Sequence, residues 1–138
     1  MTNAIRFEIP GEPIAKGRAR SAMIGGRMAH YTPQKTKAYE QQVAWHARQA
    51  MGSAAPLAGP VSVSITACFQ IPASWSKKRK DLARYKPKTS RPDLSNVIKS
   101  IEDACNGIVW NDDAQITEYL LCRKFYGDLA FVIVEVTG

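Results

Sequence analysis

Apolar and polar residues alternate through "IRFEIPG", residues 5–11, which predicts a short strand closed by Pro10 and Gly11. A longer alternation follows in "VSVSITACF", where Val61, Val63, Ile65, Ala67 and Phe69 share one side, as in a half-buried strand. "ITEYLLCRKFYG" and "LAFVIVEV" read as two closing strands, with Gly127 and Asp128 in their connection. Helical spacing appears twice. Tyr39, Val43, Ala47 and Ala50 recur behind Thr32 and Pro33, a good N-cap and first-turn pair, and stop at Gly52. Val97, Ile98, Ile101, Ala104 and Cys105 share one face of a helix over residues 94–106, with Gly107 as its C-terminal glycine and Asn96, Lys99 and Asp103 on the opposite face.

Three stretches lack such a period. "KGRARSAMIGGRMAHY" is rich in Gly and Arg and predicts an exposed loop. "SWSKKRKDLARYKPKTSRP" reads as a short basic helix or loop, and "IVWNDDAQI" as an extended segment. Neighbours in an extended segment point to opposite sides, so only one of Asp112 and Asp113 can aim where the helix face aims. No repeat, linker or low-complexity tract interrupts the pattern. The expectation is one α/β (mixed α+β) domain over residues 1–138, a mixed sheet packed by two main helices.

Composition agrees with a packed domain: 138 residues, 45% apolar and 22% charged, are enough to bury a core without staples. No apolar run approaches bilayer length, and the first ten residues lack the apolar centre of a signal peptide, so the expected location is cytoplasmic, away from membranes. Cys68, Cys105 and Cys122 are widely spaced within apolar segments and read as reduced core residues. His30 and His46 are isolated, one expected in a loop and one on a helix, which does not suggest metal ligation.

The net charge of +7 is unevenly spread. Six cations and no acid lie between Glu12 and Glu40 (Lys16, Arg18, Arg20, Arg27, Lys35, Lys37); eight cations against one acid lie from Lys77 to Arg91. Such clusters neutralise phosphates and release counterions, the sequence-independent source of affinity for nucleic acid. Solvated loops that merely keep the protein soluble are the ordinary alternative.

Against this background five of the twelve acids fall between Asp93 and Asp113. Each has an ordinary reading. Asp93 or Ser95 can cap the helix, worth ~1 kcal/mol. Lys99 and Asp103 can form an i,i+4 surface pair worth a few tenths. Asp112 and Asp113 can be turn residues. Together they suggest more, because bare carboxylates repel phosphate unless a divalent cation stands between them. Mg²⁺ fits, since it takes oxygen ligands from one or two carboxylates, waters and phosphate, and it supports attack of water on a phosphodiester. A lysine close by stabilises developing charge.

The motifs P-D-L-x-N-x-x-K, D-A-x-N-G and D-D-x-Q, in "RPDLSNVIKSIEDACNGIVWNDDAQI", resemble the signature of the RusA family of Holliday junction resolvases, phage and prophage endonucleases that cut four-way DNA junctions. "GEPIAKGRAR" and "GRMAHYTPQKTKAYE" resemble that family's earlier basic motif and helix start. The resemblance puts the family's first catalytic aspartate on Asp93, its catalytic lysine on Lys99, and its late aspartate pair on Asp112 and Asp113, the second being catalytic. Asp103 and Asp112 become supporting metal carboxylates beside Asp93 and Asp113. The better-known members carry another aspartate where this chain has Ser95. The resemblance further implies a homodimer, paired symmetric nicks under Mg²⁺ with no small-molecule cofactor, and a role in DNA recombination, repair or phage DNA processing. Lys16, Arg18, Arg20, Arg27 and Arg91 become candidate phosphate contacts. The alternatives are a junction-binding protein weakened in cleavage by Ser95 and, more distantly, a basic nuclease acting on RNA.

Overall fold

The longest alternating stretch forms the strand at the heart of the sheet. Val61, Val63, Ile65 and Ala67 are buried to 1% exposure or less, while Ser62, Ser64 and Thr66 turn to the other, half-open face. The computed structural model describes residues 4–17, 20–31 and 33–138; within 20–31 most positions are described by their backbone. In chain order the elements are β1 (Ala4–Pro10), β2 (Arg20–Ile24), β3 (Arg27–Tyr31), α1 (Gln34–Met51), β4 (Val61–Gln70), α2 (Lys77–Ala83), α3 (Leu94–Cys105), a 3-10 turn (Asp113–Gln115), β5 (Ile116–Gly127) and β6 (Phe131–Thr137). The architecture is mixed α+β, as expected. One sheet runs in the order β1-β6-β4-β5, and β2 with β3 forms a separate two-stranded ribbon.

β6 is antiparallel to both β1 and β4, whereas β4 and β5 are parallel. The two closing strands are therefore consecutive in sequence but not partners, because β4 lies between them. A parallel pair demands a long crossover, and here it carries α2 and α3. That crossover contains every acid of the 93–113 cluster.

Tyr39, Val43, Ala47 and Met51 of α1 and Val97, Ile101, Ala104 and Cys105 of α3 join Val132, Val134 and Val136 of β6 in one core, with Trp110 fully buried among them. Two helical expectations shift by a residue. Ala50 is exposed, and Met51, four positions after Ala47, closes the buried stripe of α1. That helix begins at Gln34, with Pro33 in the cap position, and Thr32 lies outside the described residues. α3 ends at Cys105 and Gly107 adopts φ +80°, the left-handed conformation that a residue with a side chain rarely adopts.

Two segments depart from expectation. The stretch read as a loop over residues 16–31 contains the β2–β3 hairpin, so His30 sits on a strand. Gly25 and Gly26 have φ +57° and +79°, and two consecutive left-handed residues make the tight turn whose twist matches the strands it joins. The segment 108–116 is not extended throughout: it folds back beside Leu57, whose N–H donates to the Val109 carbonyl at 2.7 Å, and then makes the 3-10 turn. Of the cysteines, Cys68 and Cys105 are buried, Cys122 is half-buried, and all are free thiols. Among the described residues no helix is long and apolar enough to cross a membrane.

Candidate active site

Asp93 occupies the N-cap of α3 with extended dihedrals, and its carbonyl accepts the N–H groups of Asn96 and Val97 at 3.1 and 3.2 Å. Its side chain makes no capping hydrogen bond. An aspartate at this position ordinarily accepts a first-turn N–H, worth ~1 kcal/mol. Here the exposed carboxylate makes no hydrogen bond or ion pair among the described residues and stands at the positive end of the helix, in a groove of about 580 Å³ lined by Arg91, Pro92, Asp93 and Asn96. Ser95 is exposed on the first turn and brings no charge.

Further along α3, the Lys99 ammonium lies 3.1 Å from Asp103 and 3.3 Å from Asp113. Asp103 is shared, since its other oxygen lies 3.1 Å from Lys16, which also pairs with Glu40 of α1 at 2.7 Å. Charges thus alternate through Glu40, Lys16, Asp103, Lys99 and Asp113. The segment carrying Lys16 is laced to α3 by its own N–H donating to the Asn96 carbonyl at 2.8 Å and by Ser100 Oγ donating to the Ile14 carbonyl at 2.7 Å. The hydrogen bond to Asp103 raises the pKa of Lys99, desolvation opposes it, and Asp113 adds to the rise. Burial pulls Lys16 down, but Glu40 and Asp103 outweigh it and the net shift is upward. Desolvation pushes Asp113 up, yet Lys99, with help from Asp112 and Asn106, holds its carboxyl below the ordinary value. On the inner side burial raises Glu102, whose carboxylate accepts the Tyr119 hydroxyl.

The adjacent acids Asp112 and Asp113 are separated by a turn, not by strand alternation. Asp112 caps the 3-10 turn by accepting the Ala114 N–H at 3.3 Å. Gln115 completes the capping box: its Oε1 accepts the N–H groups of Asn111 and Asp112 at 2.8 and 3.0 Å. Its Nε2 donates to the Leu57 and Gly59 carbonyls at 2.8 and 2.9 Å, which ties the turn to the chain before β4. Asp113 is then free to face Lys99. Asn106 accepts Trp110 Nε1 at 2.7 Å and supports Asp113 from the end of α3.

Of the residues singled out from sequence, the fold brings Lys99, Asp103 and Asp113 into contact and puts Asp93 on the same helix, six residues and about 9 Å of axial rise before Lys99. Asp112 is engaged as a cap and Lys16 is held between two carboxylates. Arg27 and Arg91 are exposed, Arg20 lies on β2, and Arg18 lies outside the described residues. Glu40, Asn106 and Gln115 were not singled out. Asn106 and Gln115 had a signal in their places within D-A-x-N-G and D-D-x-Q, whereas Glu40 had none.

Among the described residues no three His, Cys, Asp or Glu side chains gather as a metal cluster. A hard cation that keeps its waters needs fewer protein ligands, one or two carboxylates together with phosphate oxygens. Asp93 makes no capping bond, and Lys99 holds the Asp113 carboxyl below its ordinary value, so each carboxylate has the oxygen chemistry that such a cation takes, although no contact between the two is seen among the described residues. Asp103 is already neutralised by two ammonium groups.

A protein of Bacillus subtilis (strain 168), the uncharacterized protein YqaN, is 34% identical over 131 residues, which cover 91% of this chain and 90% of that one. The family model for endodeoxyribonuclease RusA matches residues 10–137. Nearly the whole chain, with the Asp93, Lys99 and Asp113 positions inside the match, thus belongs to the RusA family of endodeoxyribonucleases.

Proposed function

We propose that the protein is a Mg²⁺-dependent, structure-selective endodeoxyribonuclease that resolves four-way DNA junctions by paired symmetric nicks, acting in the cytoplasm in DNA recombination, repair or phage DNA processing. The observation that carries this reading is the Asp93 carboxylate, left uncapped at the start of the helix that presents Lys99 to Asp113. Asp93 and Asp113 would hold the cation, which supplies Lewis-acid stabilisation of the phosphate oxygens and activation of water. Lys99 stabilises charge developing on the phosphate or its leaving oxygen, and Asp103 sets the position of Lys99 from behind. Arg91, on the lip of the Asp93 groove, and Arg27, exposed on the ribbon that also carries Arg20, would contact the DNA backbone.

A second copy of the chain fits the edge of the sheet. β5 is an edge strand, and Tyr119, Leu120 and Leu121 on it are 49%, 59% and 55% exposed. An apolar edge with unpaired backbone groups is a template for another chain. The second reading, a junction-binding protein with weakened cleavage, is favoured by Ser95, which stands uncharged and exposed where better-known relatives carry a carboxylate.

The test is Asp93→Asn and Asp113→Asn, each assayed for junction binding and for cutting. Cutting should fall at least 100-fold while binding survives or tightens, since each change removes negative charge facing phosphate. Parallel loss of binding and cutting would make both residues structural.

A further inference from the structure

Lys124, on β5, is a half-buried lysine with no carboxylate within ion-pair distance among the described residues. Its ammonium donates instead to two backbone carbonyls, Ser90 at 2.8 Å and Pro92 at 2.7 Å. The Pro92 carbonyl belongs to the peptide that leads into Asp93. The same strand anchors the approach to that peptide: Tyr85 N–H donates to the Tyr126 carbonyl at 2.8 Å and Tyr126 N–H to the Lys86 carbonyl at 3.1 Å. Lys88 adds a bond from its ammonium to Ser90 Oγ at 2.7 Å.

A charged group drawn partly out of water and satisfied by neutral carbonyls is a costly way to pin a loop. What the loop delivers explains its use. Because the Asp93 side chain does not bond to its own helix, no capping bond fixes where its carboxylate points. Its direction is set by the backbone before it, and Lys124 grips that backbone at two points.

We propose that Lys124 is a positioning residue: by holding the Ser90 and Pro92 carbonyls it fixes the peptide bearing Asp93 and so aims the carboxylate at the cation. The inference rests on the reading of Asp93 as a metal-holding group. Groups that orient a ligand from behind typically contribute 10- to 100-fold in metal affinity or activity.

The test uses the full chain with Lys124→Met, Lys124→Arg and Lys124→Gln, measuring cleavage of bound four-way junction, Mg²⁺ affinity by calorimetry, and the salt dependence of junction binding. Lys124→Met should slow cutting ~10- to 100-fold and weaken Mg²⁺ binding, with the salt slope unchanged. Lys124→Arg, which can still donate to both carbonyls, should recover most of both. Should the methionine variant fail to fold, Lys124→Gln keeps one donor without charge and should show the same deficits in milder form. Parental cutting and Mg²⁺ affinity in the folded neutral variants overturn the proposal, as does a flattened salt slope with normal cutting of bound DNA, the mark of a phosphate contact. Asp93→Asn is run beside them. If it cuts normally the underlying reading fails, whereas an inactive Asp93→Asn beside a normal Lys124→Met defeats this inference alone.

Discussion

The Lys99 ammonium stands between two carboxylates, 3.1 Å from Asp103 and 3.3 Å from Asp113, and so couples α3 to the turn that follows it. A group whose partner is transition-state charge should act on rate more than on binding. Lys99→Ala is expected to slow cleavage ~100- to 1000-fold while junction affinity changes no more than ~3-fold and Mg²⁺ affinity does not fall. Single-turnover kinetics with calorimetric metal titration checks this. Cleavage at the parental rate would remove Lys99 from the site.

Asp103 holds Lys16 and Lys99 at once, which gives it a different signature from a metal ligand. Asp103→Asn should cost about 1–2 kcal/mol of unfolding free energy in urea and slow cutting ~10-fold by loosening Lys99, with the Mg²⁺ requirement unchanged. A raised Mg²⁺ requirement would make Asp103 a ligand instead.

How much of this was legible in the sequence depends on whether a contact is local. The spacing of Val97, Ile101, Ala104 and Cys105 announced α3 and, with it, the face that carries Lys99 and Asp103. The alternation of residues 61–69 announced β4. The β2–β3 hairpin was hidden because Gly25 and Gly26 read as loop composition, although two adjacent glycines are also what the tight turn needs. An extended segment leaves open which of Asp112 and Asp113 faces α3, and only the family resemblance favours Asp113. In the fold Asp112 caps the turn and Asp113 meets Lys99, and the grip of Gln115 on Leu57 and Gly59 that fixes this turn spans more than fifty residues. Glu40, reaching Lys16 from α1, leaves no local trace at all. Nor did the pattern of β5 reveal its place at the edge beside β4, where Thr117 and Leu120 fall at two shifts of register.

Ser95 is two positions past Asp93 on the first turn of α3 and exposed, so a carboxylate placed there meets solvent without a packing clash. Hard divalent ions bind more tightly as ligand charge increases. Ser95→Asp should lower the Mg²⁺ concentration for half-maximal cutting several-fold and raise activity at limiting metal. A variant whose Mg²⁺ dependence matches the parent would show that Ser95 does not weaken the site.

The exposed Tyr119–Leu121 edge sets up a test of assembly. Leu121→Lys places a charge where a second copy would pack and should shift the protein from dimer to monomer in sedimentation, with single nicks replacing paired ones. A parent that already sediments as a monomer at working concentration would rule out this use of β5.

The most direct measurement of the central claim sets a synthetic four-way junction beside a linear duplex of equal length, each incubated with and without Mg²⁺, using the parent and Asp93→Asn. Symmetric nicks are expected in two opposing strands of the junction, only with Mg²⁺ and only in the parent, while Asp93→Asn still binds. Equal cutting of junction and duplex, cutting that survives chelation of the metal, or undiminished cutting by Asp93→Asn would contradict that claim.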